Sequence, residues 1–347
     1  MRIGERQIGD GSPCFVIAEA GINHNGDLAM AREMVGVAAA AGADAVKFQT
    51  FETAKLLTPE APKADYQLAQ TAEDESQFEM LSRVELSRED HCALRSTAAE
   101  HGILFMSTPF TESSTDLLDD LGVPVFKIPS GEITNLLYLR HLAAKGRPAI
   151  MSTGMATMAE VDTAMTIFLN AGMAERVVLL HCVSNYPADA GNVNLRVLAT
   201  LAQEFGVPVG LSDHTLGIHI AIAAVALGAA VIEKHFTLDR GLPGADQAAS
   251  LEPGELTQLV SCIRDVEAAM GDGRKQPAAS EAATAAMARK SLAAFRDLAS
   301  GHTLLAEDIA CKRPGTGIPP AALEQVVGRR LTQPLPADTL LQWEQLT

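Results

Sequence analysis

Two lysines set in short apolar runs carry the first chemical signal in this 347-residue chain. In Ala45-Val46-Lys47-Phe48-Gln49 the two-residue period of a strand puts Lys47 and Gln49 on one face and Val46 and Phe48 on the other. Val125-Phe126-Lys127-Ile128 repeats the pattern, so both ammonium groups are expected to point into the same interior. Two buried cations repel each other and are costly to desolvate unless anions meet them. A phosphate or carboxylate ligand would meet them. Internal pairing with Glu19, Glu132 or Glu233 would do the same, and the two solutions are compatible.

Two histidines end further apolar runs, in Gly210-Leu211-Ser212-Asp213-His214 and Val231-Ile232-Glu233-Lys234-His235. Neighbouring strands lie about 4.8 Å apart, close enough for imidazoles at their ends to share a divalent ion. A lone histidine is more often a hydrogen-bonded core residue; a pair at adjacent strand ends shifts the balance toward metal. Two histidines leave the sphere open to oxygen ligands or water, which suits polarisation of a carbonyl. Parity turns Glu233 inward beside His235 and Lys234 toward the helix layer. Ser130-Gly131-Glu132 and Ser152-Thr153-Gly154 set hydroxyls and backbone donors beside a glycine, an arrangement that can hold an oxyanion. His24-Asn25-Gly26-Asp27 reads equally as a polar functional cluster and as a turn leading into a helix N-cap.

The elements that must position these groups follow from the pattern. Eight short apolar runs alternate with helical segments: residues 15–21, 45–50, 103–109, 125–131, 148–154, 177–184, 208–213 and 231–237. Such alternation is the signature of β/α units, and eight of them close most naturally as a (β/α)₈ TIM barrel whose strand ends converge at one mouth. Residues 1–270 are therefore expected to form the barrel, with 52–83 as a lid or rim over its mouth. Residues 271–290 read as a linker with a short Ala-rich helix, and 291–347 as a small separate domain.

Composition narrows the partners. A net charge of −16 argues against nucleic acid and anionic membrane, which reward a basic face. The longest apolar stretch, 220–232, is too short to span a bilayer, and the first residues have no apolar signal region, so the expected compartment is the cytoplasm. The five scattered cysteines form no C-x-x-C pair and read as reduced thiols.

Taken together, the motifs resemble the sialic acid synthase family of bacteria and its animal relatives over almost the whole chain. The resemblance rests on 17–26 (IAEAGINHNG), 46–50 (VKFQT), 107–110 (STPF), 127–132 (KIPSGE), 152–155 (STGM), 180–182 (LHC), 212–215 (SDHT) and 233–236 (EKHF). The stretch 312–318 (KRPGTGI) looks like the family's antifreeze-like (SAF) domain. The resemblance implies a barrel whose C-terminal domain is swapped onto the other subunit of a homodimer. It matches His214 and His235 to manganese ligands, with magnesium as an alternative ion. It matches Lys47, Thr108, Lys127, Ser130 and Ser152 to residues around phosphoenolpyruvate. Glu19, Glu132, Tyr186 and Asp246 match positions near the sugar, the metal or the reacting water, and Arg313 matches an arginine that reaches the N-acyl group from the partner subunit.

Two departures fall where the sugar is expected. The family often has asparagine or threonine at the position of Ser184, and many members read Pro-Asp-His where this chain reads Ala245-Asp246-Gln247.

The implied reaction joins C3 of phosphoenolpyruvate to the aldehyde of an open-chain N-acylated amino sugar; water adds at C2, and phosphate leaves by carbon–oxygen cleavage. The product is a nine-carbon 2-keto sugar acid. One carboxyl group among Glu19, Glu132 and Asp246 is the expected proton carrier. N-acetylmannosamine is the expected sugar, because no larger apolar pocket is legible in the sequence. The alternative is a 2,4-diacetamido-trideoxyhexose leading to legionaminic or pseudaminic acid. A 6-phosphorylated sugar is disfavoured by the few cations near the mouth, Lys63 and Arg240 being the nearest in sequence. More distant readings are a metal-dependent barrel hydrolase, which needs a histidine pair on an early strand where the first supplies only Glu19, and a non-catalytic glycan-binding protein, which gives no reason for the two inward lysines and two mouth histidines.

Overall fold

The computed structural model describes residues 1–9, 11–64, 67–68 and 75–347. The chain divides into two compact units, Met1–Gly271 and Asp272–Thr347.

The first unit is built on eight parallel strands, β1 (Phe15–Gly21), β2 (Ala45–Thr50), β3 (Leu104–Pro109), β4 (Phe126–Ile128), β5 (Ala149–Ser152), β6 (Val177–Cys182), β7 (Val209–Asp213) and β8 (Val231–His235). The hydrogen-bonded order is β3-β2-β1-β8-β7-β6-β5-β4, and β3 and β4 at its two ends lie against each other, so the sheet curls into a barrel. Around it run α1 (Leu28–Ala40), α2 (Arg88–Glu100), α3 (Glu112–Asp120), α4 (Leu136–Ala144), α5 (Met158–Asn170), α6 (Val197–Phe205), α7 (His219–Ala226) and α8 (Pro253–Met270). The expected (β/α)₈ architecture is thus the observed one. Several strands are shorter than their apolar runs. Residues 130–132, at the end of one run, form a 3₁₀ turn, and 153–154 and 183–184 lie beyond the ends of β5 and β6, because the last residues of these runs already belong to the loops at the mouth.

Strand parity sorts the side chains into two layers. Val16, Ala18, Val46, Phe48, Phe126, Ile128, Leu179 and Leu211 pack outward against the helices. Phe15, Ile17, Ala45, Met106, Val125, Ile150, Val178, Leu180 and Val231 fill the barrel interior. Ile3 and Ile8, carried by an N-terminal hairpin of Arg2–Ile3 and Arg6–Gln7, join that inner cluster. The next inward positions along the strands are polar: Glu19 follows Ile17, Lys47 follows Ala45, Lys127 follows Val125, and Glu233 follows Val231. An apolar floor therefore raises the charged groups toward the C-terminal ends of the strands, where barrel chemistry is sited.

The 24–27 segment resolves as structure. Asn25 and Gly26 adopt positive φ of 52° and 80°, and the Asp27 side chain accepts from Ala29 N and Met30 N as the N-cap of α1. A Cβ on Gly26 would lie 2.3 Å from the Arg83 carbonyl oxygen, so only glycine fits there. The expected lid contributes two short helices, Thr53–Leu56 and Gln77–Ser82; its residues 65–66 and 69–74 lie outside the described residues.

In the second unit, α9 (Ala282–Ala288) buries none of its residues. Strands β9 (Ser291–Ala294) and β10 (Ile309–Lys312) pair antiparallel, and Leu292, Leu298, Leu304, Ile318 and Leu341 belong to a small separate core. Among the described residues no helix is long and apolar enough to cross a membrane, and all five cysteines are free.

Candidate active site

The C-terminal mouth of the barrel holds a cavity of about 380 Å³. Lys47 and Lys127 both reach it from inside, as parity requires, and each is buried. The Lys47 ammonium lies 2.6 Å from Glu19 Oε2 and 3.6 Å from Glu233 Oε2, and donates to Thr108 Oγ1 at 2.8 Å. Lys127 donates to Ser152 Oγ at 2.7 Å and lies 3.6 Å from Glu233 Oε1, which also accepts from Ser212 Oγ at 2.8 Å. Glu233 thus bridges the two lysines. Of the internal partners considered for the lysines, Glu19 and Glu233 take the role and Glu132 does not.

Burial and charge pull these groups apart. Burial pushes Glu19 up, against the opposing pull of Lys47, to about 7. Burial also acts to raise Glu233, but Lys127 and Lys47 outweigh it and bring its pKa down to about 2. Burial opposes the charge of Lys47, yet Glu19 and Glu233 leave its pKa raised. Lys127 is lowered by burial, with Glu233 acting in the opposite sense. Asp246, also on the cavity wall, is raised to about 6 by burial. The site therefore keeps one fixed carboxylate between its cations and offers two carboxyl groups able to exchange a proton near neutral pH.

His214 and His235 meet at the same mouth with ring centroids 5.6 Å apart. His214 Nδ1 bonds the Val183 carbonyl oxygen at 2.7 Å, which leaves Nε2 with a single long contact, 3.4 Å to Ser212 Oγ. His235 Nδ1 is buried with no hydrogen-bond partner. Burial lowers the pKa of both, and for His235 the neighbouring His214 adds to the effect, so both rings are neutral near pH 7. Two neutral imidazoles, one with an orphaned buried nitrogen, fit a divalent ion. Among the described residues no group of three or more His, Cys, Asp or Glu side chains is placed to hold one, so further ligands would be oxygens of substrate or water. Tyr186 lines the cavity with its ring 4.2 Å from that of His214.

Ser130, Ser152 and Ser184 also line the cavity. Gly154 N donates to Ser130 Oγ at 3.0 Å, and a Cβ on Gly154 would fall 2.2 Å from Ser184 Oγ and 2.8 Å from both Ser130 Oγ and Cys182 Sγ. The glycine lets these hydroxyls crowd together. Glu132 is placed elsewhere: it belongs to the 3₁₀ turn, accepts from Asn135 Nδ2 at 2.7 Å and does not line the cavity. Arg313 belongs to the second unit, where it lines a shallow pocket with α9 residues.

Gln247 corrects one expectation. It lies behind the wall: its Nε2 donates to the Asn23 carbonyl oxygen at 2.9 Å and its Oε1 accepts from Thr237. Asp246 alone of that triplet faces the cavity, so the departure at Gln247 changes the scaffold rather than the cavity wall. Sequence reasoning missed Ser212 and Cys182, which stand two residues before His214 and Ser184 and share their inward face; parity alone would have found them. It also missed an apolar wall of Ile22, Phe51, Leu56, Leu57, Leu81 and Phe110, drawn from the β1, β2 and β3 loops and the lid helices.

A parallel barrel whose mouth gathers two lysines, a bridging carboxylate and two neutral histidines is a TIM-barrel site with the groups to hold an anion and to move protons. The chain belongs to the NeuB family, whose model matches residues 34–275, and a SAF domain matches 289–347. It is 49% identical to the N,N'-diacetyllegionaminic acid synthase of Legionella pneumophila over 99% of this chain and 97% of that protein. It is 37% identical to human N-acetylneuraminate-9-phosphate synthase, over 94% of this chain and 90% of the relative. The crystal structure of N-acetylneuraminic acid synthetase from Leptospira borgpetersenii superposes with a TM-score of 0.72 at 36% identity, covering 82% of this chain and 94% of that one. The family that the sequence motifs resemble is therefore the family of this chain.

Proposed function

We propose that the chain condenses phosphoenolpyruvate with an unphosphorylated 2,4-diacetamido-trideoxyhexose and water, giving an N,N'-diacetyllegionaminic-type acid and phosphate. The apolar wall carries the choice of sugar. Expecting N-acetylmannosamine rested on finding no such surface in the sequence, and a 6-deoxy sugar with a second acyl group offers methyl groups that such a wall would bury. The greater likeness to the legionaminic acid synthase supports the same choice.

In this reading Lys47 and Lys127 hold the phosphate and carboxylate of phosphoenolpyruvate, with Thr108, Ser130 and Ser152 as hydroxyl partners. Their positive charge stabilises the anion while C3 attacks the sugar aldehyde. Glu19 or Asp246, both buried and raised in pKa, takes a proton from the water that adds at C2 and returns one as the carbon–oxygen bond to phosphate breaks. Tyr186 and Ser184 border the sugar. His214 and His235 would hold a divalent ion, manganese or magnesium, which when bound supplies Lewis-acid polarisation of the aldehyde oxygen.

Among the described residues lining the cavity, Lys47 and Lys127 are the only cations. Lys63 pairs with Glu75 and Arg240 with Glu255, and neither cation lines the cavity. A sugar 6-phosphate would bring about two further negative charges with nothing to meet them. Specificity constants measured by phosphate release should therefore rank the diacetamido sugar above N-acetylmannosamine, with the 6-phosphate last. Leu81→Ser should lower the preference for the diacetamido sugar about 10-fold or more, the worth of a buried methyl contact. A preference for either other sugar in the parent enzyme overturns the assignment.

The same reading makes the working unit a cytoplasmic, domain-swapped homodimer in which the partner's Arg313 meets the N-acyl group. Its planar donors suit an acyl carbonyl. Mixing Arg313→Ala chains with Lys47→Ala chains, each inactive alone, should regenerate activity in mixed dimers. Mixed dimers that form and stay inactive refute the swap.

A further inference from the structure

Lys234 stands between Glu233 and His235 on β8, and parity turns it away from the cavity into the helix layer. It is 1% exposed. Its ammonium donates to Asp213 Oδ2 at 2.7 Å and to the Thr215 carbonyl oxygen at 2.5 Å. Asp213 is its ladder partner on β7, and the other carboxylate oxygen of Asp213 accepts from Thr215 N at 2.9 Å and Thr215 Oγ1 at 2.8 Å. The residues on both sides of His214 are thus tied to the residue next to His235. Burying such a pair is poor value for stability, since apolar residues of similar volume are often as good or better. What it fixes is geometry: the ends of β7 and β8 cannot slide or splay without breaking a charged bond in the core.

We propose that the Asp213–Lys234 ion pair is a positioning device that sets the imidazoles of His214 and His235 at the separation a shared divalent ion requires. The inference rests on the reading of those histidines as the ion's ligands. Their own contacts leave this role open to the pair. Each carbonyl oxygen accepts at 2.9 Å, His214 from Ala188 N and His235 from Leu251 N, but the His214 ring is also held at Nδ1 by Val183, whereas His235 Nδ1 has no partner and its ring depends on its backbone for direction. Lys234 and Asp213 touch neither cavity nor substrate, so they act through the histidines.

The test is manganese binding, followed by the loss of the free-ion electron paramagnetic resonance signal, in the full chain. Asp213→Asn/Lys234→Met removes both charges at nearly constant volume and keeps the core filled. It should bind manganese about 10-fold more weakly or worse, the usual cost of losing an outer-shell partner, while metal-free affinity for phosphoenolpyruvate stays at the parent value because Lys47 and Lys127 are untouched. Thr215→Val, which deletes one bond to Asp213 and preserves shape, should weaken manganese in the same direction by a smaller factor and carries the test if the double variant does not fold. Parent-like manganese affinity in whichever of the two folds overturns the inference alone. Absence of saturable manganese binding in the parent chain overturns the metal reading and the inference with it.

Discussion

Replacing Lys47 by methionine should lower kcat/KM for phosphoenolpyruvate by about 10³-fold or more. The magnitude follows from its place. A preorganised donor in a water-excluded site is worth about 10²–10³ in rate on its own, and Lys47 in this reading also supplies part of the ground-state binding of a multiply charged anion. It is the group shared by Glu19, Glu233 and Thr108, so its removal leaves two buried carboxylates without their common cation. Breaking one side of a buried ion pair costs about 3–5 kcal/mol, and thermal melting should show it. Adding Glu19→Gln to Lys47→Met removes one of the stranded charges and should recover much of the stability, which shows how much of the loss is the unpaired carboxylate. A Lys47→Met enzyme with near-parent kcat/KM in a phosphate-release assay is incompatible with the proposed anion site.

Chelation should abolish turnover and added manganese should restore it, while His214→Ala and His235→Ala should bind manganese more than about 100-fold more weakly, beyond the range for outer-shell partners. A metal ligand must be deprotonated, and burial already lowers the pKa of both rings, so that no proton need be displaced near pH 7. A buried polar nitrogen without a partner costs about 1–3 kcal/mol. His235 Nδ1 is such a nitrogen, and a bound ion would relieve it. Full activity in a metal-stripped sample, with metal content measured directly, removes the ion from the mechanism.

Much of this site is legible along the chain because a strand has a period of two. Lys47 and Lys127 point inward because their neighbours Val46, Phe48, Phe126 and Ile128 must face helices, and no tertiary detail is needed to see it. The alternation of apolar runs with amphipathic segments likewise determines a parallel barrel, and the barrel determines that groups at the strand ends converge. Tertiary structure decided what periodicity cannot carry: which groups meet across strands, and how far each lies from water. Glu19 and Glu233 are both inward glutamates, yet one is raised to about 7 and the other lowered to about 2, since Glu233 lies between two lysines and Glu19 beside one. Glu132 looked equivalent to them in sequence and turned out on a 3₁₀ turn, bonded to Asn135. The apolar wall combines residues from three strand-end loops and two lid helices whose spacing along the chain follows no period, so only folding could assemble it. Lys234 shows the same limit: its outward direction is a local fact, but the Asp213 that makes burial tolerable lies 21 residues away, and that partnership exists only once β7 and β8 are side by side.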